Sequence, residues 1–225
     1  MGIVLGFVCI FLFLLLCAKV LTRKFHLKRA DAFLFKLHKP VSVLLILVCL
    51  FHIIAVLPVI KTRHILLTVS GICAIFFMIL LIILCHKAKP KALKLRLHRI
   101  FAFLMALAII FHIGIYYIDF AAYQDKIATV SIEEINFSQI KDGTYIGEYD
   151  AGYIYAKVQV TIDDGAMTDL ILLEHRNERG KPAEAILPEI INRQSLTVDT
   201  ISGATNSSLV IKAAIQKALQ NSQTR

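Results

Sequence analysis

Apolar residues dominate four stretches of the chain, roughly 2–21, 41–60, 65–85 and 100–120, and charged residues gather in the connections between them. About 20 residues of helix cross the ~30 Å of bilayer hydrocarbon, so the pattern predicts four transmembrane helices. After residue 120 the texture changes. Residues 121–140 read as a mostly polar connector with a short helical or extended piece. From Asp142 the pattern turns strand-like, in Gly143-Thr144-Tyr145-Ile146-Gly147-Glu148-Tyr149 and then in the alternating run 154–162. Asp163-Asp164-Gly165 signals a hairpin turn and 167–173 returns as a further strand. A helix is expected over 182–193, opening at Pro182, and an amphipathic one over 207–220 with Ser and Asn as capping candidates. The predicted fold class is an α-helical membrane bundle of four transmembrane helices followed by a small α+β domain. The expected division is 1–120 for the membrane domain, 121–140 for the connector and 141–225 for the second domain.

Charge orients this arrangement. Residues 1–120 carry 15 Lys and Arg against two acids, Asp31 and Asp119, a net of +13, whereas residues 121–225 carry a net of −4. A basic pI can indicate nucleic acid, but these cations sit between long apolar runs, so that partner is excluded on placement. The strongly basic connections are the first, 22–40, with Arg23, Lys24, Lys28, Arg29, Lys36 and Lys39, and the third, with Lys87, Lys89, Lys91, Lys94, Arg96 and Arg99. Both are expected to face the cytoplasm, which puts the N-terminus, the short loop Lys61-Thr62-Arg63-His64 and everything after Phe120 outside. Tyr116, Tyr117 and Tyr123 fall where the chain would leave the bilayer, as an interfacial aromatic belt requires.

The five cysteines (Cys9, Cys17, Cys49, Cys73, Cys85) all belong to the apolar runs, so the second domain has neither a disulfide framework nor a Cys-based metal site. Leu14-Leu15-Leu16-Cys17 has a faint likeness to a lipoprotein cleavage site. No Lys or Arg precedes it and Leu16 is not a small residue, so an uncleaved first membrane helix is expected.

Histidines supply the first candidate chemistry. His38 and His52 stand 14 residues apart in the second hydrophobic segment, and His98 and His112 repeat that spacing 60 residues later in the fourth. Fourteen helical residues rise about 21 Å over nearly four turns, which sets both histidines of a segment on one face. Segments two and four run parallel, so His38 is level with His98 and His52 with His112. Two stacked imidazole pairs make two bis-histidine sites, which suits two b-type haems between helices of a bundle. A transition-metal site, a quinone site or plain interhelical hydrogen bonding are the competing uses of such residues. Lys39 and Arg99 follow the inner histidines and could pair with haem propionates, or simply snorkel to the membrane surface. His26, His64 and His86 have no such partner geometry and read as loop or interfacial residues. The paired spacing over residues 30–120 resembles the transmembrane cores of ferric reductases and related b-type cytochromes. No Gly-rich dinucleotide fingerprint is present, so direct oxidation of NADH by this chain is not expected.

The second candidate is Asp199-Thr200-Ile201-Ser202-Gly203-Ala204-Thr205, followed by Asn206-Ser207-Ser208 and a helix. A turn of small residues delivers a hydroxyl to a helix N-terminus, where free backbone N–H groups and the dipole favour phosphate. A serine-capped helix after a polar loop would have the same residue chemistry. The segment resembles the flavinylation motif of the FMN-binding domain family, found in the C and G subunits of sodium-pumping and Rnf-type redox complexes. The similarity extends over most of 142–219, including Asp142-Gly143-Thr144-Tyr145-Ile146-Gly147 and the hairpin at Asp164-Gly165. It implies FMN held covalently through a phosphoester on Thr205, with Asp199, Ser202, Gly203 and Ala204 forming the rest of the motif. It also implies a flavin transferase that uses FAD as a partner, and attachment outside the cytoplasm.

Together these features suggest an oxidoreductase-type electron carrier of the cell membrane. A quinol or a cytoplasmic reductase would donate electrons, two haems and FMN would carry them, and an extracytoplasmic acceptor would take them. Two rivals stand beside this reading: a flavoprotein without haem, anchored by its helices as an accessory redox subunit or redox sensor, and a non-redox membrane protein whose second domain binds another ligand.

Overall fold

The computed structural model describes residues 1–87 and 90–220, with side chains described except at 85–87. Lys89 of the third basic connection and positions 221–225 of the second domain lie outside the described residues, as do the side chains of Cys85, His86 and Lys87. The chain divides into two compact units, Met1–Lys61 and Thr62–Arg225.

The first unit is a helical hairpin of α1 (Gly2–Lys24) and α2 (Lys28–Val56), with a 3-10 turn at Leu57–Thr62. Arg23 and Lys24 occupy the last turn of α1, where cations complement the helix dipole. The reversal is tight, with His26 in the left-handed region at φ 56°. Asp31 in the first turn of α2 ties it together: Arg23 Nε lies 3.4 Å from its carboxylate, and the Thr22 hydroxyl donates to it at 3.3 Å. The basic segment 22–40 is therefore mostly helix rather than loop, because α2 begins at Lys28 and passes through His38 and Pro40. Pro40 lacks a backbone N–H and leaves the Lys36 carbonyl without its usual helical donor.

The second unit opens with another hairpin, α3 (Ile65–Lys87) and α4 (Lys91–Ala128). At 38 residues α4 is about 57 Å long, well beyond the hydrocarbon thickness. It runs through the first eight residues of the expected connector. Apolar side chains point outward along these helices, as at Phe103 (62% exposed), Ile110 (65%) and Phe111 (61%). All four long helices have the length and hydropathy to cross a membrane, the make-up of a multi-pass membrane protein.

The C-terminal domain of this unit is a three-stranded antiparallel sheet in the order β1-β2-β3 (Gly143–Asp150, Tyr155–Asp163, Ala166–Arg176), with helices α5 (Ile186–Arg193) and α6 (Thr205–Gln220). Asp164 (φ 51°) and Gly165 (φ 73°) close the β2–β3 hairpin, the pair of positive φ angles that a two-residue type I′ turn needs. Along β2 every second residue, Ala156, Val158, Val160 and Ile162, is buried. They pack with Val210, Ile211, Ala214, Ile215 and Ala218 of α6 and Ile186 and Ile190 of α5. Gly147 lets α6 lie directly on β1, since a Cβ there would stand 2.2 Å from the Ala214 carbonyl oxygen and 2.3 Å from the Ala218 nitrogen. Four long apolar helices followed by a small sheet-and-helix domain is the architecture that the hydropathy pattern predicts.

Candidate functional site

Thr205 is the first residue of α6 and is exposed. Ser202 and Gly203, also exposed, form the turn before it, and Gly203 takes φ 77°, a left-handed conformation that suits glycine. A Cβ on Gly203 would meet nothing within 4 Å, so the approach to the turn is open. The turn is held from behind: the Ala204 N–H donates to the Ile201 carbonyl (2.9 Å), and the Ser208 N–H (2.9 Å) and hydroxyl (3.1 Å) both donate to the Ala204 carbonyl. The Ser208 oxygen in turn accepts from the Ile201 N–H at 3.1 Å. Ala204 is buried, and Asp199 is exposed on the loop leading in. A hydroxyl thus stands beside the amides of the first helical turn, which have no intrahelical acceptor.

The back of this site is polar and buried. Ser207 Oγ is enclosed without a hydrogen-bond partner, and Gly180 packs so close that a Cβ there would collide with it. His175, at the end of β3, has a side chain only 3% exposed; its Nδ1 lies 3.0 Å from Glu184 and its enclosed Nε2 has no partner. Lys212 is buried in α6 with its ammonium donating to the Val198 carbonyl, next to Asp199. Burial pulls its pKa below the ordinary lysine value, and the Asp199 charge opposes that shift. An open hydroxyl at a helix N-terminus and an uncluttered glycine turn fit a phosphate-linked cofactor; the orphaned Ser207 hydroxyl lies two residues along α6, on its buried face.

The same helix end touches α4. Asn206, beside Thr205, donates from Nδ2 to the Tyr123 hydroxyl at 2.8 Å. The Tyr123 ring stacks on Tyr153 of the β1–β2 loop, with centroids 4.8 Å apart and 10° between planes. Phe120 packs against both, and Tyr116 stacks on Phe120 at 6.1 Å. Arg63, in the loop before α3, lays its guanidinium 3.3 Å from the Tyr153 ring centroid and pairs with Glu178. Burial lowers the Arg63 pKa and raises that of Tyr153 above their ordinary values. In the sequence the Lys61–His64 loop reads only as a short turn, and His175, Glu178 and Glu184 belong to no motif. That His175 is the sole histidine after residue 120 was the one available signal.

The four spaced histidines fall on two helices, His38 and His52 on α2 and His98 and His112 on α4. His52 Nδ1–H donates to the Gly2 carbonyl of α1 at 2.9 Å. His112 Nδ1 lies 3.1 Å from the Leu67 carbonyl of α3 and 3.0 Å from the Ser70 hydroxyl. Contact of one ring nitrogen with a backbone carbonyl is the arrangement that orients imidazoles whose other nitrogen binds a metal, so these two side chains fit a haem iron chemically. Among the described residues no three or more His, Cys, Asp or Glu side chains converge as a metal set. A bis-imidazole site needs two.

Residues 152–220 match the model of a family described as FMN-binding domain. The match takes in β2, β3, α5, the Ser202–Thr205 turn and α6. No curated protein and no solved structure matches the chain.

Proposed function

We propose that this protein carries electrons across a membrane, through two bis-histidine b-type haems, to an FMN bound covalently to Thr205 on the extracytoplasmic side, and on to an external acceptor. The FMN-binding domain supports flavin-based redox chemistry. The carrying observation is the exposed Thr205 hydroxyl at the start of α6, one residue from the Asn206–Tyr123 bond to the helix that bears His112. When bound, haem supplies one-electron steps within the bilayer and flavin supplies one- and two-electron steps at its surface. The residues of the chain then have separate tasks. His38 with His98 and His52 with His112, as the sequence spacing pairs them, would hold the two haems. The turn Ser202-Gly203-Ala204 keeps Thr205 accessible to a flavin transferase, and the amides of the first turn of α6 hold the phosphate. Asp199 lies on the loop that leads into that turn.

A dithionite-reduced minus oxidised spectrum of the detergent-purified chain tests the haem part, with His52→Ala in parallel. Low-spin b-haem bands that shrink in the variant support the conduit. A flat haem region removes it and leaves an anchored flavoprotein, the accessory-subunit reading. Thr205→Ala tests the flavin part: the FMN mass adduct should vanish and reduction of an external acceptor should collapse. An unchanged acceptor rate in that variant would sink the flavin step.

A further inference from the structure

The two helical hairpins present their outer histidines in the same way. In the first, the Gly2 carbonyl accepts from His52 Nδ1–H, and a Cβ on Gly6 would stand 3.3 Å from His52 Cε1 and 3.6 Å from its Nδ1. In the second, the Leu67 carbonyl receives His112 Nδ1, and a Cβ on Gly71 would stand 3.4 Å from His112 Cε1 and 3.6 Å from its Nδ1. Gly2 and Leu67 are 65 residues apart, and so are Gly6 and Gly71, while the histidines repeat at 60. Between the carbonyl and the glycine the two segments share only the valine: Ile3-Val4-Leu5 in one, Thr68-Val69-Ser70 in the other.

Helix geometry explains why the glycine stands four residues after the carbonyl. A helical carbonyl at position i already accepts from the N–H at i+4 and keeps one lone pair for a second donor. The Cβ at i+4 tilts back toward the helix N-terminus, over that carbonyl. A Cβ at that position presses on an imidazole that reaches the second lone pair, at 3.3 Å in the first hairpin and 3.4 Å in the second, and a branched side chain there would displace the ring. Because a carbonyl can accept but never donate, the ring nitrogen against it must carry the proton. In a neutral imidazole the lone pair is then on Nε2, the nitrogen on the far side of the ring.

We propose that α1–α2 and α3–α4 are two copies of one ligand-presenting hairpin, in which Gly6 and Gly71 are positioning residues that hold His52 and His112 as Nδ1–H tautomers with Nε2 directed to a haem iron. This deepens the conduit reading and rests on it for the identity of the metal group. In the second copy His112 Nδ1 meets two acceptors: Ser70, at the place Leu5 has in the first copy, donates its hydroxyl to the Leu67 carbonyl at 3.0 Å and so presents only its oxygen to the ring nitrogen, which shares its proton between that oxygen and the carbonyl.

The test uses the full chain in detergent, labelled with ¹⁵N-histidine and produced under haem starvation, alongside haem-replete material. His52→Gln and His112→Gln assign the two signals. In the starved wild type both histidines should show a protonated Nδ1 and an unprotonated Nε2. Gly71→Val should move His112 alone off that tautomer and, in replete material, lower the reduced-minus-oxidised haem band by about half, the share of one haem in two. Gly6→Val should do the same through His52. Where Gly71→Val fails to fold, Gly71→Ala, whose Cβ makes a 3.4 Å contact, takes its place: it should keep the tautomer and broaden the His112 signal alone, and an unaltered His112 signal would overturn the role of Gly71. A protonated Nε2 in the wild type at either position overturns the proposal, as does an unmoved His112 in folded Gly71→Val. If replete wild type holds no haem, the conduit reading fails, and the tautomer result still decides the hairpin proposal.

Discussion

Isoleucine behaves oppositely in the two halves of this protein. Ile110 on α4 is 65% exposed, whereas Ile162 on β2 is 1% exposed. The helices turn apolar side chains outward and satisfy their backbone internally, as lipid requires. The C-terminal domain turns them inward, against α5 and α6, as water requires. What differs is the solvent each half is built for, and so the same kind of substitution should have unequal cost on the two sides.

The largest effect is expected at Gly147, where any side chain runs into the backbone of α6 at Ala214 and Ala218. Gly147→Val should destabilise the C-terminal domain by about 3 kcal/mol, the upper end of overpacking costs, because backbone cannot rotate away as a side chain can. Hydrogen exchange on the solubilised chain reads this directly. Peptides from β1 and α6 should lose protection while those from α3 keep theirs. Equal loss in both would mean that the halves unfold as one and would end the comparison. Next comes the isoleucine pair. Ile162→Ala should cost about 2–5 kcal/mol in the domain, and Ile110→Ala should stay within about 0.5 kcal/mol in detergent. A large cost at Ile110 would show that its face is covered by protein rather than lipid.

The same contrast explains how much could be read from the chain. Apolar runs of membrane length announced four helices, and the alternation at Ala156, Val158, Val160 and Ile162 announced β2, because both signals are periodic and local. Helix ends were less legible: α2 starts at Lys28 and α4 reaches Ala128, since helix continues past the point where hydropathy falls. The Ser202–Thr205 turn was visible from its small residues, and the structure puts it at the head of α6 with Thr205 exposed. Its surroundings were not. Arg63 against Tyr153, Asn206 against Tyr123 and Gly180 against Ser207 join residues 27 to 90 positions apart. No spacing rule links such partners; the packing of the sheet on α6 and on the end of α4 does.

A smaller, pH-dependent effect is expected at Lys212. Its folded pKa is lowered by burial, so in the alkaline range the folded protein gives up this proton before the unfolded chain does. Between the lowered value and the ordinary one near 10.4, the unfolded state binds more protons and stability rises with pH. Below that window the whole burial cost remains. Thermal unfolding of the C-terminal domain should therefore shift upward on going into the alkaline range, and Lys212→Met should flatten this particular slope. An unchanged slope in the variant would assign the dependence to another group. Arg63, whose pKa burial also lowers, stays charged at any accessible pH and so gives no such slope.

The smallest effect probes the seam between α4 and the domain. Tyr123→Phe removes the hydroxyl that accepts from Asn206 Nδ2 and leaves the ring stacked on Tyr153. Asn206 is partly exposed, so water can replace the lost acceptor and the net cost should be about 1 kcal/mol. That cost should be local. Exchange should quicken in the first turn of α6 and the last turns of α4, while β2 stays protected. Tyr123→Ala removes the stack as well as the hydroxyl and should loosen the same two segments further, in the order Ala beyond Phe beyond wild type. If β2 loosens in step with them, Tyr123 is part of the domain core and the seam is not a separate element. If only α6 and α4 respond, the contact next to Thr205 is a hinge point between a half built for lipid and a half built for water.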